Sequence, residues 1–298
     1  VAIDNSLAGR TVLVTGAASG FGLVMGAAFL EAGGQVALTH ISADQTEGLS
    51  RVLSRYGERA AYLPANLIHG EDVDRLVDSV RQRFGVVDIL VNNAGVAPSI
   101  VRRNFVVEPV RFWEHTEEHT QNFFAVNAIA PFRLAVHLAP DMVKRGWGRI
   151  ISVTTSLGSM LRAGMAGYAG SKAALEAHTA VLAGDLADTG VTANVLIPGG
   201  AANTPMVPLE SGVDRAQLIQ PEAMVAPALW LASTESDGVT AKRLSPPIGI
   251  RPCRRVQPWR MRSCPLDGLA WASRPSFPPT TSRPGESRAP SDLSALFA

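Results

Sequence analysis

The stretch Thr15-Gly16-Ala17-Ala18-Ser19-Gly20-Phe21-Gly22 follows directly on the apolar run Thr11–Val14 and opens a helical stretch that continues through Glu31. Glycines at these places permit a tight turn and let a pyrophosphate approach the backbone, where the amides and dipole of a helix N-terminus stabilise its charge. A strand, a glycine turn and a helix in this order point to a dinucleotide. A glycine-rich turn alone is also what a plain structural turn looks like, so the reading rests on what surrounds it. Further apolar runs follow at Gln35–Leu38, Ala60–Leu63, Ile89–Asn92, Arg149–Val153 and Thr192–Ile197, each separated from the next by amphipathic, helix-like sequence. Short buried strands alternating with helices make parallel crossovers, which are almost always right-handed. The expected fold class is α/β: a doubly wound parallel sheet with ligands at the carboxyl ends of its strands.

Two more elements fall at such ends. Asn92-Asn93-Ala94-Gly95 closes the fourth apolar run, and Tyr168-Ala169-Gly170-Ser171-Lys172 places a phenol and an ammonium four residues apart. On a helix that spacing puts both on one face. A nearby ammonium favours phenolate and lowers a pKa that is ordinarily about 10, as general acid–base work requires. A lone Tyr-x-x-x-Lys is more often a core tyrosine with a surface lysine. Three motifs in order reverse that preference.

The set Thr15–Gly22, Asn92–Gly95, Ala125-Val126-Asn127, Tyr168 with Lys172 and Pro198-Gly199 resembles the short-chain dehydrogenase/reductase family over about residues 8–240. The glycine spacing resembles its dehydrogenase/reductase branch. The resemblance implies a Rossmann-type sheet and hydride transfer between NAD or NADP and a secondary alcohol or ketone. It implies catalytic roles for Tyr168 as general acid/base, Lys172 as its partner, which also holds the nicotinamide ribose, and Asn127 as the holder of a water in the proton path. Where the family usually has serine, thirteen residues before the tyrosine, this chain has Thr155, with Ser156 beside it. A threonine hydroxyl offers the same donor and acceptor. Successive strand residues point to opposite faces, so Ser156 takes the role only if the strand has ended or bulged, and Thr155 is the choice here. The cofactor-binding residues implied are Gly16, Ser19, Phe21, Gly22, His40, Asn66, Asn93, Ala94, Gly95, Tyr168, Lys172, Pro198 and Gly199. At the end of the second run, where an acid would repel a 2′-phosphate and an arginine attract one, His40 supplies neither charge, and NAD against NADP stays open.

Composition bounds the rest. The chain has 298 residues, 46% hydrophobic and 18% charged, enough for a full-sized core. With no 18-residue apolar run and no signal-like opening, the expectation is a soluble, cytoplasmic protein with no membrane partner. Its two cysteines, Cys253 and Cys264, leave no disulfide framework and no metal spacing. Residues 241–298 carry ten cations against three acids, a net of +7, and ten of the twenty prolines, whereas residues 1–240 are at −6. The expected division is a catalytic domain at 1–245 and a disordered Pro/Arg/Ser-rich tail at 246–298, with no strand pattern beyond Leu244. The tail is either a native extension or the product of a shifted reading frame. Its basic charge suits nucleic acid electrostatically, but without interleaved aromatics or a binding fold no nucleic-acid partner is expected. From Gly95 to Asn127 there are 32 positions, about ten more than the family leads one to expect. The excess falls in Ala97–Phe105, whose Arg102 and Arg103 either receive an anionic substrate or lie solvated at the surface. Ala201–Glu210 is the second candidate lid. The family also implies a homo-oligomer, dimer or tetramer. Against the enzyme reading stands a catalytically weak or silent dinucleotide-binding scaffold, motivated by Thr155 and the tail.

Overall fold

The computed structural model describes residues 5–246 and 262–265, the last four by their backbone. In chain order the elements are β1 (Thr11–Thr15), α1 (Gly20–Glu31), β2 (Gln35–Thr39), α2 (Glu47–Tyr56), β3 (Ala60–Tyr62), α3 (Gly70–Phe84) and β4 (Ile89–Asn92). There follow α4 (Glu117–Phe124), α5 (Ala130–Arg145), β5 (Gly148–Val153), α6 (Leu157–Met160), α7 (Ala166–Asp185), β6 (Val191–Leu196), α8 (Val225–Ala232), β7 (Lys242–Ser245) and β8 (Arg262–Pro265). The six apolar runs are thus strands, with ends displaced by a residue at most.

Every residue of β1, β4, β5 and β6 is buried, the mark of a parallel sheet covered on both faces. Alternation along β1 shows how the two layers are served. Val12 and Val14 pack with Met25 and Phe29 of α1, Leu49 of α2 and Leu231 of α8, while Leu13 faces Val77 of α3 and Leu134 of α5. The strand order is β3-β2-β1-β4-β5-β6-β7-β8, the first seven parallel. After β3 the chain crosses β1 to start the other half of the sheet at β4. That reversal opens a crevice at the carboxyl ends of β1 and β4, the place where a doubly wound sheet takes ligands.

Two findings depart from the sequence reading. Beyond Leu244 a short strand does form: β8 pairs antiparallel with β7, from Lys242 opposite Pro265 to Ser245 opposite Arg262. It borrows an edge that β7 leaves open, so pairing rather than apolar patterning defines it. The rest of the tail, including Cys253, lies outside the described residues. The second departure is the helical run Glu117–Arg145, in which a π turn at Ala125–Ile129 joins α4 to α5. Its 29 residues are long and apolar enough to cross a membrane, a length hidden by the polar residues that interrupt it; half of its most apolar stretch is buried inside the fold. It is one of the helices that cover the sheet, and it carries Asn127.

Candidate active site

The glycine turn is tied to the end of β4 by five hydrogen bonds, one of them from Thr15 Oγ1 to the Val91 carbonyl at 3.3 Å. Thr15 Oγ1 accepts from the amides of Asn93 and Ala94, each at 3.0 Å. In return Asn93 Nδ2 donates to the carbonyls of Thr15 at 2.8 Å and Gly16 at 3.0 Å. Gly16 has φ +65°, and a Cβ there would lie 2.7 Å from the Ala94 Cα. At Gly22 a Cβ would come within 2.3 Å of the Gly16 carbonyl oxygen. Both glycines are therefore demanded by close backbone approach, one with a left-handed conformation in addition. Ser19 caps α1 with no side-chain cap bond, which leaves its hydroxyl and the first-turn amides directed at the crevice.

At the other end of the crevice α7 presents Tyr168 and Lys172 on one face, both buried. Lys172 Nζ donates to the Val153 carbonyl at 3.0 Å. Burial pushes its pKa down to about 8, opposed by the charge of Glu176. Burial also raises Tyr168 above the usual phenol value, opposed by a hydrogen bond from Thr155. Burial, which penalises the charged phenolate, is the dominant influence on Tyr168. The strand β5 ends at Val153, so Thr155 and Ser156 both lie in the loop beyond it. The loop separates them: Thr155 lines the cavity beside Tyr168, whereas the Ser156 hydroxyl caps α6, accepting from the Ser159 amide at 3.2 Å. Asn127, fully buried in the π turn, stands behind the cavity wall. Its Oδ1 accepts from the Val96 amide at 2.8 Å, and its Nδ2 donates to the Val96 carbonyl at 3.1 Å and to Ser171 Oγ at 2.9 Å.

One cavity of about 540 Å³ joins the two ends. Of the residues singled out in the sequence, Gly16, Ser19, Phe21, His40, Asn66, Asn93, Ala94, Gly95, Thr155, Tyr168, Lys172 and Pro198 line it, while Gly22, Asn127 and Gly199 lie behind its surface. Burial lowers the His40 pKa, which disfavours its cation, and its Nδ1 accepts from the Ser42 amide at 3.2 Å. Asn66 Oδ1 accepts from the Ile68 amide at 3.1 Å in a local turn. A dinucleotide fits these walls: a backbone cradle with no room for a Cβ, an unpartnered helix N-terminus and neutral groups where the adenosine would lie.

The two arginines of the long loop serve other ends than an anionic substrate. Arg102 donates to the carbonyls of Glu108 at 3.3 Å and Pro109 at 3.2 Å and to Glu114 Oε1 at 2.6 Å, folding its loop upon itself. Arg103 pairs with Glu210 at 3.0 Å, joining this loop to the second lid. The arginine that does line the cavity, among the described residues, is Arg162, in the segment between α6 and α7, with Met165 also in the lining. Neither stood out in the sequence, since no motif or periodicity marks a residue brought to the cavity by a loop. The signal that would have found them is position alone, between Thr155 and Tyr168.

Comparison with known proteins identifies the family of the fold. The short chain dehydrogenase family pattern matches residues 10–211. The chain is 30% identical over 247 residues to the 3-oxoacyl-(acyl-carrier-protein) reductase FabG of Vibrio cholerae, covering 80% of this chain and 96% of that one. It is 35% identical over 199 residues to the 1-deoxy-11-beta-hydroxypentalenate dehydrogenase of Streptomyces exfoliatus, covering 66% of this chain and 69% of that one. Among solved structures, the 3-ketoacyl-(acyl-carrier-protein) reductase from Brucella melitensis complexed with NADH superposes with a TM-score of 0.69 at 27% identity, over 80% of this chain and 97% of that chain. With the pattern spanning most of the described fold, the chain belongs to the short-chain dehydrogenase family.

Proposed function

We propose that the protein is an NAD(P)-dependent oxidoreductase that interconverts a secondary alcohol and a ketone, with Tyr168 as the general acid/base. The observation that carries this reading is the opening of the glycine turn and of Tyr168, Lys172 and Thr155 into one cavity. NAD(P), when bound, supplies the hydride donor or acceptor. The turn Gly16–Gly22 and the α1 N-terminus hold its pyrophosphate, and Lys172, which keeps two donors beyond its bond to Val153, holds the nicotinamide ribose. In reduction the Tyr168 hydroxyl gives its proton to the substrate oxygen; in oxidation the phenolate takes it back. A phenol raised by burial keeps that proton at neutral pH, which suits reduction. The Thr155 hydroxyl orients the carbonyl oxygen. Asn127 acts from behind, clamping Val96 and so the Gly95 segment that faces Lys172. Arg162 and the apolar residues Met165, Phe105, Met206 and Leu218 offer the substrate a largely apolar wall with one cation at its edge. The exposed apolar residues Ile129, Phe132 and Val136 of the α5 region and Val181 of α7 suit a homo-oligomer contact.

The test is a panel of ketones and secondary alcohols with NADH, NADPH and their oxidised forms, run on the wild type and Tyr168→Phe. Turnover should fall by about 10²–10⁴-fold in the variant, while cofactor affinity, read by fluorescence titration, stays within a few-fold. A variant that turns over as fast as wild type removes Tyr168 from the reaction.

A further inference from the structure

A fully buried carboxylate stands one helical turn beyond the proposed catalytic lysine, and nothing in the reaction above uses it. Tyr168, Lys172 and Glu176 follow each other at four-residue steps along one face of α7. The Glu176 side chain is 0% exposed and pairs with Arg243 of β7, itself only 18% exposed, at 3.1 Å. The same Glu176 Oε1 accepts from the Thr154 hydroxyl at 2.6 Å, and its Oε2 is buried with no partner. Arg243 is bound at its other end too: its Nη2 donates to the Thr155 carbonyl at 2.6 Å. The pair therefore grips the first two residues of the loop that leaves β5, Thr154 by its hydroxyl and Thr155 by its backbone, and anchors them to α7 and β7.

Resting on the reading of Tyr168, Lys172 and Thr155 given above, we propose that Glu176 and Arg243 are a positioning pair. Arg243 fixes the Thr155 backbone so that its hydroxyl meets Tyr168, and Glu176 supplies the counter-charge for Lys172. Two observations support this over a plain structural ion pair. A carboxylate taken wholly out of water with one oxygen unbonded is costly, and a more favourable site would satisfy both oxygens. The charged and titratable groups around Lys172, among the described residues, are Tyr168 and Glu176 on its own helix and Arg243 from β7. The end of β5, the loop beyond it and the π turn present the neutral Val153 carbonyl, Thr154, Thr155 and Asn127. Glu176 is thus the one anion facing the ammonium, and its field reaches Lys172 through dry protein.

The test compares Glu176→Gln, Arg243→Met and Arg243→Lys with Arg149→Met. Arg149 offers a control, a buried arginine paired with Asp237 near the start of β5, at the opposite end from the site. All are compared at a temperature where each is folded, on the best carbonyl substrate of the panel, and by ultraviolet titration of the Tyr168 phenol as the difference from Tyr168→Phe, which requires no substrate. Arg243→Met should lower kcat roughly ten-fold or more, the effect of losing one aligned hydrogen bond, with cofactor KM within about two-fold, and Arg243→Lys should restore part of it. Glu176→Gln, which keeps the shape, should move the pH midpoint of turnover and the phenol titration to lower pH, since removing a negative charge disfavours the ammonium and favours the phenolate. Arg149→Met should lower only the melting temperature. If Glu176→Gln leaves both midpoints in place and Arg243→Met behaves like Arg149→Met, the pair is structural and the proposal fails. Should Arg243→Met not fold, the isosteric Glu176→Gln decides alone. An active Tyr168→Phe would overturn the underlying assignment instead, so the two failures are told apart.

Discussion

Thr155 and Ser156 are adjacent and chemically alike, yet the loop after β5 gives them different work. Ser156 spends its hydroxyl on the amide of Ser159 at the start of α6, and Thr155 keeps its own for the cavity. Thr155→Ala should therefore lower kcat by the value of a hydrogen bond in a dry site, about 1–3 kcal/mol or roughly 5- to 150-fold. Ser156→Ala should instead cost about 1 kcal/mol of stability as a lost cap, with kcat nearly intact. Steady-state kinetics beside thermal melts of the two variants check this, and the reverse pattern would move the role to Ser156. Lys172 gives a second test. Its folded pKa of about 8 lies below that of an unfolded lysine, about 10.4. The unfolded chain then binds more protons between these values, so this group's contribution to stability rises with pH from about 8 to about 10.4 and is constant below. Wild type should gain on Lys172→Met by on the order of 3 kcal/mol across that window, as followed by denaturant titration at each pH. A gap that does not change with pH would show that the ammonium is not held in a desolvated site.

The glycine turn, α1 and the end of β4 behave as one unit because the Thr15 hydroxyl and the Asn93 amide bond each other's backbone and the glycines let the segments approach closely. Gly22 is the clearest point of it: the glycine has an ordinary helical backbone, so a methyl group there is resisted by space alone, meeting the Gly16 carbonyl oxygen at 2.3 Å, Asn93 Nδ2 at 2.6 Å and the Ala17 Cα at 2.9 Å. Gly22→Ala should push the α1 N-terminus off the turn and weaken NAD(P) binding by at least ten-fold, measured by calorimetric titration. An unchanged affinity would mean that the turn does not hold the pyrophosphate. The two lids are joined more weakly. Arg103 and Glu210 are 82% and 50% exposed, and such a pair contributes about 0–1 kcal/mol, so it can open and close without great cost. Arg102 is tied to its own loop by three bonds and holds the fold of that loop instead.

For the molecule as a whole the question is where the working chain stops. The strand β7 brings Arg243 to Glu176 and to the Thr155 carbonyl, so the site reaches to at least that residue. β8 adds four residues to the edge of the sheet, with no described contact to the cavity. We expect truncation after Gly249 to leave turnover nearly unchanged and the melting temperature within a few degrees, since a four-residue edge strand buries little. Truncation after Ala241, which removes β7 and Arg243, should abolish both folding to the native melting profile and activity. Circular dichroism melts and turnover of the two truncated chains check this; a first truncation that loses activity would show that the tail belongs to the working fold.

The sequence alone settled what depends on local pattern and spacing. Runs such as Ile89–Asn92, apolar on both faces, can only be buried parallel strands, and Gly16 and Gly22 stand where a backbone must come close to another. Tyr168 and Lys172 share a face because a helix turns every 3.6 residues. Contacts between distant segments were decided by the tertiary structure. Burial by neighbouring elements, unseen in a linear chain, pushes the Tyr168 phenol up. Arg102 and Arg103 found acids twelve and more than a hundred residues away, and Arg162 reached the cavity through a loop of no regular period. The pairing of Glu176 with Arg243, 67 residues apart, exists only because β7 adds to the sheet beside β6. No spacing rule spans such a separation, since the crossover that closes it is set by how the whole sheet packs.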